Sequence, residues 1–479
     1  MQRYRAGRRL RTPHDFSKGR KHIKPELHAD AAKNFNKKAD SLLTAIAPEL
    51  RQGASEPPTE LFRPGGHIAA RYSADELPEF KITAKTDLLG RTTARYFEYE
   101  GQRIGLEDDK YQELARLSES VQRTKALRDL VSTKWVEDAI VDWMKARYEG
   151  TSAPPLATYL ADKCEKDVRE HEILLPVSNL TVESDLTFGN VVFRTITKEL
   201  MDRWWEQWQE ATRGRGAEYA AKVEARFARE RSDLQGLAAA TIKVTAEPKR
   251  ALEVALQESE RAVAALRVYH IAATTIPEVI SYCALLGKEN VESVKYLEME
   301  GVRVRSRLKQ PAGGRVLNWH LSDDNIRKYT GSIGFDNVNR LLALKTRTKF
   351  QDALLDALLL YSRSTREKDL AGRLVYMLAA IESMLLRNDT ESIQENAGVR
   401  MAFVIANTAE QRKVAISNLK AAYALRSRFL HHGHTIDELE MVRTFMLDTW
   451  VLFTELAKAS NKFETKDQLI DSLEAMKLS

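Results

Sequence analysis

The chain has 479 residues, 43% of them hydrophobic and 30% charged, with a formal net charge of +6. That apolar content excludes a wholly disordered chain, and at very roughly 150 residues per domain the length predicts two to four units. No run approaches the ~18 consecutive apolar residues of a membrane span, and two cysteines far apart, Cys164 and Cys283, argue against a disulfide scaffold or a thiolate zinc site. With no apolar secretory h-region near Met1, the expectation is a soluble cytoplasmic protein without membrane contact.

The charge is unevenly placed. Residues 1–24 carry nine Lys or Arg against one acid, Asp15, a net +8 that leaves −2 for residues 25–479. An arm of this kind can bind nucleic acid by neutralising phosphates and releasing counterions, with Arg3, Arg5, Arg8, Arg9 and Arg11 as the contacts. The same composition also fits a solvated terminus without a ligand. It is Arg-rich and acid-poor like a mitochondrial presequence, but lacks the amphipathic apolar face of one.

In chain order, a short helix is expected near 29–48, followed by a boundary at Pro57, Pro58, Pro64, Gly65 and Gly66. Residues 66–106 read as strands, because Phe80-Lys81-Ile82-Thr83 and Tyr96-Phe97-Glu98-Tyr99 alternate around the turn Leu89-Gly90-Arg91. A helical stretch from about Lys110 to Tyr148 is broken at Gly150–Pro155. Strands return at Leu180–Ile196 around the turn Gly189-Asn190. Residues 198–235 are charged and helical, and the spacing of Trp204, Trp205 and Trp208 favours the core face of a helix over a base-stacking platform. Ala239–Ala246 reads as a strand and Pro248 to about Tyr269 as a long helix. Residues 292–320 alternate again, with a turn at Pro311.

From residue 341 onward neither proline nor strand pattern appears. Helices are expected near 345–362, 367–387, 392–407, 411–431, 436–459 and 465–477, which makes an all-α bundle. The fold class is therefore α+β and predominantly α. Residues 1–60 form a basic arm with a short helix, 61–340 a mixed region with a subdivision near 150–180, and 341–479 the helical bundle.

One helix is informative. Stepping about 100° per residue from Leu419, the apolar arc runs from about 240° through zero to about 40° and takes in Leu419, Ala422, Tyr423, Leu425, Phe429 and Leu430. Arg426 falls at about 340°, inside that arc, whereas Arg428 falls at about 180°, toward water. A guanidinium on an apolar face is costly unless an anion meets it. Glu382, at the edge of the stripe Leu374, Met377, Leu378, Ile381 and Leu385, is the internal candidate; a bound phosphate is the external one. The two are compatible if Glu382 orients Arg426. His431, His432 and His434 follow at once, and Gly433 is suited to end the helix, which places the first two in its last turn. Arginine to hold a phosphate and histidine to move a proton is what phosphodiester cleavage requires.

At these residues the sequence resembles a known family. Arg426-Ser427-Arg428-Phe429-Leu430-His431 fits the R-x4-H motif of HEPN domains. The surrounding Tyr423 to Gly433 and the upstream Ala380-Ile381-Glu382 resemble the Apea-like branch. The resemblance covers roughly residues 341–460. It implies a metal-independent endoribonuclease without cofactor, in which Arg426 binds the scissile phosphate and His431 transfers protons as the 2′-hydroxyl attacks. A 2′,3′-cyclic phosphate and a 5′-hydroxyl result. Glu382, Ser427 and His432 would support the pair. It also implies an RNA substrate, a homodimer with both motifs facing one cleft, a phage-derived trigger, and a place in antiphage defence or stress. Residues five apart on a helix point about 140° from each other, so Arg426 and His431 converge only if the last turn distorts or a second copy supplies one of them.

The alternative from another class is a non-catalytic HEPN module that dimerises while the arm binds nucleic acid. No G-x4-GK[ST] loop, G-x-G-x-x-G turn, H-E-x-x-H helix or G-x-S-x-G elbow is present, which disfavours a kinase, a P-loop ATPase or a metalloprotease. The histidine cluster lacks a local carboxylate or cysteine set for a metal.

Overall fold

A computed structural model describes residues 24–49, 84–87, 89–288, 294–300, 303–309, 318–388, 390–432 and 436–478. The basic arm with Arg3, Arg5, Arg8, Arg9 and Arg11 lies outside the described residues. So do the boundary at 57–66, the strand expected at Phe80–Thr83, the turn at Pro311, Gly433 and His434. Among the described residues the chain is α+β and predominantly α, and no helix is long and apolar enough to cross a membrane. It divides into two compact units, one of residues 1–171 with 244–253, the other of residues 172–243 with 254–479.

The first unit contains α1 (Ala29–Thr44), β1 (Ala47–Pro48), β2 (Ala84–Thr86), β3 (Thr92–Tyr99), β4 (Gln102–Glu107), α2 (Asp108–Gln122), α3 (Thr133–Tyr148) and α4 (Leu156–Asp167). Its antiparallel sheet has the order β1-β4-β3-β2. Leu114, Leu117 and Val121 of α2, Val136, Ile140 and Trp143 of α3, and Leu160 and Cys164 of α4 fill one core. The single helical stretch expected over 110–148 is two helices. The tight turns of Arg123–Leu130 interrupt it, and Ser132 caps α3 by accepting from the Trp135 amide. Glu247 accepts from the Ser132 amide at 3.1 Å and from the Arg250 amide at 2.8 Å, which ties 244–253 to this unit.

Next in chain order come β5 (Arg169–Ser178), β6 (Leu180–Val182), β7 (Leu186–Phe188), β8 (Val191–Thr195), α5 (Lys198–Thr212), α6 (Ala217–Leu234), β9 (Ala238–Ala246), α7 (Pro248–Leu266) and β10 (Ala284–Leu285); β5, β9 and α7 each have residues in both units, and the others belong to the second. A five-stranded sheet has the order β10-β5-β9-β8-β7. Trp204 and Trp205 of α5 pack on a small core around Phe227 of α6, and Trp208 meets Phe227 edge-on at 5.5 Å. The tryptophans therefore serve the contact between two helices, as their spacing predicts. A hairpin of β11 (Val294–Glu300) and β12 (Arg303–Lys309) precedes β13 (Trp319–Leu321), which pairs with β6 in parallel.

The helices that follow are α8 (Asp323–Tyr329), α9 (Phe335–Ala343), α10 (Lys349–Ser364), α11 (Leu370–Leu385), α12 (Ile393–Ile405), α13 (Ala409–His432), α14 (Leu439–Lys458) and α15 (Lys466–Leu478). Six of them lie within a few residues of the ranges expected from 345 onward. Thr348 and Gln351 form a capping box at the start of α10, and Asp369 caps α11, so both starts are fixed by side-chain oxygens on free amides. The two short helices α8 and α9 were not expected. α9 joins the bundle to the sheet, with Phe335 against Phe188 at 4.8 Å. Gly189 turns at φ +66° so close to Leu342 that a Cβ there would sit 2.6 Å from the leucine's own. The bundle is also bonded to the middle of the chain: Tyr361 donates to the Ala273 carbonyl at 2.6 Å and Trp450 to that of Val268 at 3.0 Å.

Candidate functional site at the end of the long helix

α13 is 24 residues long and packs against α11, α12 and α14. Its buried residues are Ala415, Leu419, Ala422, Tyr423 and Leu425, the same face that the sequence marks as apolar. The arc departs from the expectation at its far end. Leu430, placed among the apolar residues by its angle, is 52% exposed, and Phe429 is only half-buried. The last two turns of α13 carry the stripe beyond the core, so the angle remains apolar while the partner surface runs out.

Arg426 lies at that transition. It is half-buried, and its Nε is buried without a hydrogen-bond partner. Among the described residues no carboxylate reaches it within ion-pair distance. Glu382, the internal counter-ion considered for it, is occupied elsewhere: the Tyr423 hydroxyl donates to Glu382 Oε1 at 2.8 Å. Burial and the adjacent carboxylate push the Tyr423 phenol well above its ordinary range, so it remains a donor, with the positive charge of Arg426 acting in the opposite direction. The expected pair Glu382–Arg426 is therefore replaced by Glu382–Tyr423. The phenol takes the carboxylate one helical turn before the guanidinium.

The remaining expected residues are exposed. Ser427 faces solvent, and Arg428 pairs with Glu438, whose carboxyl it holds below the usual range. His431 and His432 occupy the last turn of α13, both exposed, with ring centroids 6.4 Å apart and edge-on to each other. The helix runs unbroken through His432. A straight helix carries positions 426 and 431 about 140° apart around its axis and about 7.5 Å apart along it. Without a distorted last turn, one copy presents the arginine to the half-buried seam and His431 to open solvent. Among the described residues no group of three His, Cys, Asp or Glu is arranged to hold a metal ion.

In chemical terms the site offers a partly desolvated cation with no ion-pair partner among the described residues, and two exposed imidazoles in the last turn of the same helix. The Tyr423–Glu382 bond escaped sequence reasoning because the two residues are 41 positions apart. The signal available was that both stand on the inward edges of their helices. Comparison of the chain with protein-family models, with curated proteins and with solved structures finds no match.

Proposed function

We propose that residues 341–479 form a HEPN-type module of an RNA-cleaving protein, acting in the cytoplasm in antiphage defence or a stress response. The observation that carries this reading is Arg426. A guanidinium left half-buried without a carboxylate is costly to the fold, and a phosphate from outside offsets that cost. His431 then acts as the proton carrier for attack of the 2′-hydroxyl, with Glu382, Ser427 and His432 around the pair. Glu382 does so indirectly, since it holds Tyr423.

The regular last turn of α13 supports a site composed from two copies, Arg426 from one chain and His431 from another. In a two-fold dimer each cleft then contains one of each, as the R-x4-H resemblance implies. RNA is the substrate, and no metal or other cofactor takes part in the proposed chemistry.

The test is to incubate purified wild type, Arg426→Ala and His431→Ala with total RNA in EDTA. Cleavage by wild type that is lost in both variants supports the reading. Mixing the two variants is the sharper measurement. If sites are shared between copies, random dimerisation restores about a quarter of wild-type activity, and if each copy carries its own complete site, none returns. Intact RNA in every tube, with salt-sensitive RNA binding abolished by deleting residues 1–24, favours the non-catalytic alternative.

A further inference from the structure

A group of arginines without ion pairs lies in the second unit at the ends of α7 and α10. The C-terminal half of α7, the end of β10 and the end of α10 line an open pocket of about 460 Å³. Five cations line it, Arg261, Arg267, Lys288, Arg363 and Arg366, against a single carboxylate, Glu260. That carboxylate is engaged by Lys288, and Arg261 has Glu258 at 3.5 Å. Arg267, Arg363 and Arg366 make no ion pair among the described residues, although Glu367, next in sequence to Arg366, feels its charge. Arg366 donates to the Lys288 carbonyl at 2.7 Å, and Arg363 is exposed at the rim.

Arg267 is the informative member. It is 6% exposed, and Nη1 donates to the Cys283 carbonyl at 3.0 Å, while its buried Nε has no partner. Burial draws its pKa down to about 10, and the charge of Arg366 acts in the same direction. An arginine needed only to fasten β10 to α7 would be served by carbonyls and would gain nothing from two further guanidinia around the same cavity. Like charges gathered around a partly desolvated space are stabilised by an anion, and guanidinium forks match phosphate oxygens.

We propose that this cavity binds a small ligand through a terminal phosphate or polyphosphate group, held by Arg267, Arg363 and Arg366. The volume lies within the range of small-molecule pockets, and Val263, Ala264, Leu285 and Leu359 supply an apolar wall for the rest of the ligand. A polynucleotide is disfavoured because the deepest cation is buried. A terminal phosphate can enter to meet it, whereas an internal phosphodiester must bring both flanking nucleotides. The proposal is independent of the Arg426 reading.

The experiment is isothermal titration of the full chain at low salt with pyrophosphate, ATP, adenosine and a 12-nucleotide RNA bearing a 5′-hydroxyl. Pyrophosphate and ATP are expected to bind and adenosine not to, with affinity falling as salt rises. ATP tighter than pyrophosphate assigns the apolar wall to the nucleoside, and equal affinities assign the site to the phosphates alone; both support the proposal. Arg363→Gln and Arg366→Gln, chosen because neither residue is fully buried, should each weaken binding about tenfold with an unchanged melting curve, since hydrogen bonds to charged groups carry effects of that order. Arg426→Ala should leave this binding unaltered. The proposal is overturned if neither phosphate compound binds at millimolar concentration, if the double variant Arg363→Gln/Arg366→Gln binds as wild type does, or if the RNA alone binds.

Discussion

Arg400 on α12 and Arg426 on α13 belong to packed neighbouring helices, and their surroundings are opposite. Arg400 is 4% exposed, and four hydrogen bonds meet its guanidinium. Its Nη1 donates to Glu391 and to the Leu385 carbonyl, both at 2.7 Å, its Nη2 donates to Glu391 at 3.0 Å, and its Nε to Glu474 at 2.8 Å. Arg426 is half-buried, its Nε is without a partner, and Glu382, the carboxylate expected to meet it, is held by a tyrosine. A bundle able to neutralise one arginine so completely leaves the other open. The contrast separates an arginine that maintains the fold from one available to an outside anion.

The strongest way to break this contrast is to remove each arginine in turn. Arg400→Ala leaves Glu391 and part of Glu474 without their cation inside the fold and should cost about 3–5 kcal/mol in denaturant unfolding. Arg426→Ala removes an uncompensated charge and should leave the unfolding midpoint unchanged or raised. Equal losses in the two variants would mean that Arg426 is structural after all, and the anion-binding reading would fail with it.

How much of this was legible beforehand follows the range of the interactions. The helices of the bundle are visible in the sequence because periodicity and caps are local. α9 is nine residues long and is preceded by Gly334 in a left-handed conformation without a side-chain cap, so it leaves little trace in the sequence. The position of Arg426 on an apolar face follows from spacing alone. Which carboxylate it lacks does not, because Tyr423 and Glu382 meet only when α11 and α13 pack. Leu430 shows the limit of the wheel: an angle predicts a face and cannot tell where the neighbouring helix ends. Arg363 and Arg366 stand together at the end of α10, but Arg267 follows α7 far earlier in the chain, and only the fold brings it to them.

Acid offers a graded version of the same contrast. The guanidinium of Arg400 holds the Glu391 carboxyl down to about 2, well below its value in an unfolded chain. A depressed carboxylate contributes its stability fully above the unfolded pKa of ~4.3 and loses it as pH falls through the folded value. The difference in unfolding free energy between wild type and Glu391→Gln should therefore be constant above about pH 5 and shrink steadily between about pH 4 and 2. Taking the difference cancels other acid-sensitive groups such as His270, which burial keeps neutral down to about 4. A difference that stays flat across that window would show that the network does not act through charge.

The smallest expected effect tests why Arg426 stays open. Tyr423 donates to Glu382, and that bond occupies the carboxylate that the sequence offers to Arg426. Tyr423→Phe removes the donor and should cost about 1 kcal/mol, the net worth of an ordinary hydrogen bond. Its more telling consequence is electrostatic. A released, half-buried Glu382 gains by pairing with a cation, and Arg426, whose charge reaches Tyr423, stands one turn beyond position 423. If the phenol acts as a keeper, Tyr423→Phe should weaken RNA binding severalfold although it touches no phosphate, and adding Glu382→Gln should restore binding by removing the competing charge. If Tyr423→Phe weakens binding equally with and without the added Glu382→Gln substitution, the tyrosine contributes only packing, and another cause must be found for the open guanidinium.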